Sequence, residues 1–299
     1  MTNPRLLKKR VNSIKNIGKI TKALEMVSAS KVKKAQEKAL NSKAFALKIY
    51  ELVSSLGDAE KSKTLPLLRT SAIAGRSLYV LVSTNRGLAG SLNTNLFNVL
   101  AKHLGTQAGT KHNFVTLGKK GRVFAVNYGN LVADFSDYTP FESAAVPIVK
   151  LITETFVKKE VDAIYIVFNN FITALTQDPT IKKLLPLTKD LLQTQLGFPE
   201  LADKKAGVEK LSPGPRYNFE PSPEEVLQEL LPYYLEIQIS ESLFEAEASE
   251  HSARMIAMKN ASNSARDLTE SLSLEYNKAR QNAITSEISD IITAAAALK

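Results

Sequence analysis

The stretch YYLEIQISESLFEAEASEHSARMIAMKNASNSARDLTESLSLEYNKARQNAITSEISDIITAAAALK, Tyr233 to Lys299, runs for 67 residues without a glycine or a proline. Those are the two residues most unfavourable in a helix, so the run reads as one helix, on the order of 100 Å long at 1.5 Å per residue. Its start is marked upstream. Ser222-Pro223-Glu224-Glu225 has the form of a capping box, with Ser222 at the cap, Pro223 just inside and Glu225 at the third position. Ala261, Ala265, Leu268, Leu272, Tyr276, Ala279 and Ala283 form a stripe at three- and four-residue steps. Ile284, Ile288, Ile291, Ala295 and Leu298 continue it with a slight change of phase. A globular domain cannot cover such a rod, so it must pack on another long helix. Ala253, Ala257, Ala261 and Ala265 allow that helix to come close.

The other end of the chain supplies the partner. Asn3-Pro4 offers a cap followed by proline at the first helical position. Leu7, Val11, Ile14, Ile17, Thr21, Leu24 and Val27 then recur at helical spacing, followed by Ala35, Ala39, Ala46, Ile49 and Val53, with Gly57 as the stop. Gly18 breaks this pattern, at about 1 kcal/mol relative to alanine. The two ends are also opposite in charge. Residues 1–48 hold thirteen Lys/Arg against two acids, whereas 222–299 hold thirteen acids against six bases. Opposite charge favours side-by-side packing of the two segments, and an antiparallel coiled coil follows.

The middle changes character. Strand-like runs at Ser77–Val82, Phe114–Leu117, Leu131–Phe135 and Ala163–Phe168 alternate with helix-compatible stretches at 92–104, 119–127 and 142–159. That rhythm argues for a small, mostly parallel α/β sheet. Asp178-Pro179 reads as a turn into a further strand-like run, Thr180 to Leu187, and residues 193–221 as loop. The expected organisation is an N-terminal helix over 1–58, an α/β domain over 76–190, a connecting loop over 191–221 and a C-terminal helix over 222–299.

Composition narrows the chemistry. The chain has 299 residues, no cysteine, no tryptophan, three histidines and a formal net charge of +9. Absent cysteine excludes disulfides, thiolate metal sites and a cysteine nucleophile. His103, His112 and His251 are too scattered for a histidine metal cluster, so no metal, cofactor or catalytic residue is expected. No apolar run approaches the roughly 18 residues of a membrane span, and Met1 to Arg10 lacks the apolar core of an export signal. A soluble intracellular protein is expected. The loop Thr84 to Ser91 follows a strand and precedes a helix, where phosphates bind in α/β folds. It lacks the third glycine of the dinucleotide pattern and the Gly-Lys-Ser/Thr of a P-loop, and Gly118-Lys119-Lys120-Gly121 has no hydroxyl for magnesium. Both read as tight structural turns. The basic N-terminus alternates with an apolar stripe and carries no aromatic residue before Phe45. It therefore reads as a coiled-coil face rather than a nucleic-acid binder.

Two segments go beyond pattern. SIKNIGKITKALEMVSASK, Ser13 to Lys31, closely resembles the N-terminal signature of the F-type ATP synthase gamma subunit. EHSARMIAMKNA, Glu250 to Ala261, and YNKARQNAIT, Tyr276 to Thr285, resemble its C-terminal signature, and Arg86 to Ser91 (RGLAGS) its middle motif. The resemblance implies an α/β plus coiled-coil fold: a long antiparallel two-helix coiled coil from both termini with a central Rossmann-like α/β domain. It implies the non-catalytic central rotor shaft of a proton-translocating enzyme, one copy per complex, inside the hexamer of alpha and beta subunits. The foot would stand on the membrane ring of c subunits beside the epsilon subunit. Arg280 and Gln281 match positions that contact a beta-subunit loop, and Lys9, Arg10, Lys15, Lys19 and Lys22 belong to the part facing the ring of alpha and beta subunits. Tyr217, Phe219 and Glu220 match a segment touching the membrane rotor. The resemblance implies a peripheral protein on the cytoplasmic face of the bacterial inner membrane, or on the matrix side if the chain is a processed organellar one. No cofactor or nucleic acid is implied.

Overall fold

The computed structural model describes residues 3–56, 66–68, 75–106, 111–187 and 220–297. In chain order these form α1 (Pro4–Leu56), β1 (Arg76–Val82), α2 (Leu92–Thr106), β2 (Lys111–Leu117), α3 (Lys119–Tyr128), β3 (Asn130–Asp134), α4 (Ala145–Val157), β4 (Ala163–Phe171), β5 (Gln177–Leu185) and α5 (Pro223–Ala297). The chain divides into two compact units. One consists of Met1–Lys31, Leu88–Gly90 and His251–Lys299, the other of Val32–Gly87 and Ser91–Glu250.

The larger unit is built on a five-stranded sheet of order β3-β2-β1-β4-β5. The first four strands are parallel and β5 returns antiparallel to β4. The central strand β1 is buried over Ser77–Val82, which is why it reads as an unbroken apolar run. One sheet face packs Leu78, Val80, Ile164 and Ile166 against α4 and the start of α5, through Ile148, Ile152, Leu235, Ile239 and Leu243. The other face packs Tyr79, Leu81 and Phe114 against Leu96 and Leu100 of α2 and Ala125 of α3.

Two expectations for this region are corrected. The helix expected over 142–159 opens as a 3-10 turn, Phe141–Ala144, and becomes α-helical only at Ala145. Asp178-Pro179 is not a turn but lies within β5, where Pro179 is paired with Asn169. Proline is tolerated there because β5 is the outermost strand of the sheet among the described residues. The Ser222 cap is formed, the Glu225 amide donating to its hydroxyl at 3.3 Å. α5 continues through Pro232, an interior proline that removes the backbone hydrogen bond to residue 228 and that the surrounding packing must offset.

In the smaller unit both helices bury a seam of strict heptad spacing, differing from the stripe expected. On α1 the covered positions are Leu7, Val11, Ile14, Gly18, Thr21, Glu25 and Ser28, alternating four- and three-residue steps. Ile17, 53% exposed, and Val27 lie outside it, and Leu24 is half-buried. On α5 the positions are Met258, Ser262, Ala265, Thr269, Leu272, Tyr276, Ala279 and Ala283, with Thr269 in place of Leu268, which is 53% exposed. The reason is geometric. A 3.5-residue repeat keeps facing a partner helix, whereas picking the nearest apolar residue drifts off the seam. Small and polar residues occupy it because the backbones approach closely: a Cβ added to Gly18 would lie 3.4 Å from that of Ala265. Ile284, Ile288, Ile291, Ile292 and Ala295 are all exposed, so the expected continuation of the stripe is uncovered that far, and Leu298 lies outside the described residues.

Candidate functional site

Of the two turns weighed for phosphate binding, the one opening α3 spends its amides internally. The Lys119 amide donates to Asn85 Oδ1 at 3.0 Å and the Lys120 amide to the Thr84 carbonyl at 3.2 Å. The Gly121 amide donates to Ser83 Oγ at 2.7 Å, and Ser83 Oγ donates in turn to the Gly118 carbonyl at 2.9 Å. A phosphate needs such first-turn amides pointing outward; here the preceding β1 loop already takes them. The β1 loop is itself tied back, the Thr84 amide donating to Asn93 Oδ1 and Asn93 Nδ2 to Thr84 Oγ1 at 2.7 Å. Gly118 has φ +101°, and a Cβ there would run into the Ser83 carbonyl. The expectation of tight structural turns fits this geometry.

Beside this turn, Asp134 closes β3. Burial pushes its carboxyl up, but hydrogen bonds from Ser136 and Thr116 and the nearby Arg122 charge outweigh that and leave it below the usual carboxylate range. Tyr79, buried at the sheet centre, is stacked on Tyr165 with ring centroids 5.2 Å apart. Burial and the Tyr165 charge push its hydroxyl up to about 12. These perturbed groups are explained by packing.

The expected partner-contact residues fall differently. Lys9, Arg10, Lys15, Lys19, Lys22, Arg280 and Gln281 are all exposed, in the unit of the paired helices. Lys22 is paired with Glu25 at 3.0 Å. Among them are the exposed apolar side chains Leu6, Ile17, Ile20, Met26 and Val27, of which Ile17 and Val27 had been expected in the stripe. Had the 3.5-residue period been imposed on α1, the sequence would have placed Ile17 and Val27 on this outer surface. Tyr217 and Phe219 lie outside the described residues, whereas Glu220 is exposed just ahead of α5. No helix among the described residues is long and apolar enough to cross a membrane.

The paired helices thus present exposed bases and exposed apolar residues side by side. Comparison with known proteins gives the family. A family profile described as ATP synthase matches residues 3–298. The ATP synthase gamma chain of Methylacidiphilum infernorum is 39% identical over 302 residues, covering 98% of each chain. The chain belongs to the ATP synthase gamma-chain family. The gamma chain of Geotalea daltonii is 35% identical across the full length of both proteins. A chain from the mitochondrial ATP synthase of Euglena gracilis, in a structure of its OSCP, F1 and c-ring, shares the fold with a TM-score of 0.63 at 20% identity. That match covers 99% of this chain and 94% of the other. The function of this gamma-family chain is that of a rotor shaft subunit of the F1 ATP synthase.

Proposed function

We propose that this chain couples rotation of a membrane ring to ATP synthesis and hydrolysis at an alpha/beta hexamer while carrying no catalytic residue itself. The observation behind the proposal is the uncovered surface of the paired helices, in a chain matched end to end by gamma-chain relatives. On this reading α1 and α5 form an antiparallel coiled coil. If Gly18 is level with Ala265, Asn3 comes level with Arg280, so the seam should run out just beyond it. Among the described side chains the last half-covered α5 position is Ala283, and 284–295 are exposed, in keeping with that register.

The overhanging apolar end of α5 then serves as a bearing inside the hexamer, since apolar contact is non-directional and favours no single orientation. Lys9, Arg10, Lys15, Lys19 and Lys22 face acidic loops of the surrounding subunits, with Arg280 and Gln281 against a beta-subunit loop. Exposed charge contacts are worth about 1 kcal/mol or less each, which suits contacts that must be made and broken every turn. The α/β domain over 76–190 and the connection over 191–221, with Tyr217, Phe219 and Glu220, serve the c-ring end beside epsilon. One copy per complex, held peripherally on the cytoplasmic face of a bacterial membrane, completes the reading; the matrix side is the organellar equivalent.

Co-expression with alpha and beta subunits tests it. Stoichiometric capture is expected, and changing Lys9, Arg10 and Lys15 together to glutamine should alter turnover or proton pumping of the assembled enzyme. Unchanged ATPase rate and pumping would remove these residues from the proposed contact.

A further inference from the structure

Lys182 occupies a position where the sheet would ordinarily place an apolar side chain. Its cross-strand partner on β4 is Ile166, a core residue on the face covered by α5, and cross-strand partners share a face. A cavity of about 240 Å³ opens at this place, lined by Phe168 and Lys182 from the sheet and by Glu241, Ser242 and Glu245 from α5. Lys182, Glu241 and Glu245 are all half-buried. Burial pulls the Lys182 ammonium down from its ordinary value, and the charges of Glu241 and Glu245 pull it back up. A second polar tie lies farther along the same helix. Ser249, fully buried, donates from Oγ to the Asn169 carbonyl of β4 at 2.9 Å.

The apolar stripe Leu235, Ile239 and Leu243 sets which face of α5 meets the sheet. A cation facing two carboxylates adds directional contacts to that packing. Glu241 and Glu245 are four residues apart, one turn of helix. Sliding α5 by a turn would carry one of them past the ammonium, and rotating it by a residue, about 100°, would swing both away. We propose that Lys182, facing Glu241 and Glu245 in this cavity, is a key that reinforces the rotational phase of α5 on the sheet and so bears torque in the rotor; this rests on the rotor-shaft role. Lys182 is a positioning residue that acts through α5. A torque-bearing role explains why a charge is kept where an isosteric apolar residue would cost less desolvation.

The test uses the assembled enzyme in sealed vesicles, with ATP hydrolysis and ATP-driven proton pumping measured together. Lys182→Met should assemble and hydrolyse ATP at the uncoupled rate, with a lower melting temperature because Glu241 and Glu245 lose their cation. Its ratio of pumping to hydrolysis should fall, by up to about tenfold for the loss of one directional polar contact. Lys182→Arg should restore the ratio, as should the reversal K182E/E241K/E245K. A ratio equal to wild type in Lys182→Met overturns the proposal, as does a fall that Lys182→Arg does not reverse. If Lys182→Met fails to assemble, the reversal decides alone: recovered pumping supports the key and unrecovered pumping overturns it. A wild-type chain that captures no alpha or beta subunit instead removes the rotor reading on which the key stands.

Discussion

Gly18 and Ala265 meet across the seam of the paired helices, a methyl on Gly18 falling 3.4 Å from the Ala265 Cβ. That is the near edge of ordinary van der Waals contact, so the site admits one carbon and no more. Gly18→Ala should be neutral or stabilising by up to about 1 kcal/mol, the helix-propensity gain set against slight crowding. Gly18→Leu should destabilise by about 1–3 kcal/mol through overpacking. Thermal unfolding of the full chain checks both, and a Gly18→Leu protein as stable as wild type would show that the seam is looser than its burial indicates.

Ser83 and Gly118 hold the start of α3 against the end of β1. Gly118→Ala forces a side chain into left-handed backbone and into the Ser83 carbonyl, and should cost about 2–4 kcal/mol. Ser83→Ala removes both the acceptor of the Gly121 amide and the donor to the Gly118 carbonyl, at about 1–3 kcal/mol. Because the two changes break one network, the double variant should lose less than the two separate losses combined. Chemical denaturation of the four proteins measures it, and strict additivity would contradict the shared network.

Element types and their order were largely legible because the two long helices carry few internal breakers, Gly18 in α1 and Pro232 in α5, and β1 and β4 read as apolar runs. The seam was not legible from apolar residues alone. Gly18, Glu25, Ser28 and Thr269 sit in it because close backbone approach selects small or polar side chains, while Ile17, Val27 and Leu268 are turned outward. Apolarity marks contact in general, and on a shaft much of that contact is intermolecular. Pro179 misled for a related reason. It signals a turn by local propensity, but an outer strand has a side on which no N–H is required. The Lys182 cavity left no trace in the sequence because its three charged residues come from segments some sixty residues apart.

His103 and His112 flank the Tyr79 ring edge-on, at centroid distances of 6.0 and 5.7 Å. Burial lowers both pKa values, and His112 is lowered further by the charge of His103. The unfolded chain therefore binds more protons than the folded one below the ordinary histidine value of 6.5, so stability rises with pH across that window. The stabilising contribution is complete above pH 6.5 and is lost as the pH falls through the depressed folded values. Melting temperatures between pH 8 and pH 5 should drop on the acid side. The His103→Asn and His112→Asn variant should flatten that drop, and a profile identical to wild type would show that these histidines do not carry it.

Ile288, Ile291 and Ile292 are each more than half exposed near the described end of α5. Surface substitutions away from packed features usually change stability by no more than about 0.5 kcal/mol, so Ile→Ser at all three should leave the melting temperature of the free chain nearly unchanged. If this end is the bearing inside the alpha/beta hexamer, the same changes remove apolar area buried on assembly, worth about 1.5–3 kcal/mol for each isoleucine fully covered. The variant should then be captured less well by alpha and beta subunits while folding normally. Pull-down at graded subunit concentration, with melting of the free chain alongside, separates the two effects. Unchanged capture with unchanged melting would place the bearing elsewhere on the shaft. Reduced capture with a lower melting temperature would assign these isoleucines to the stability of the chain itself.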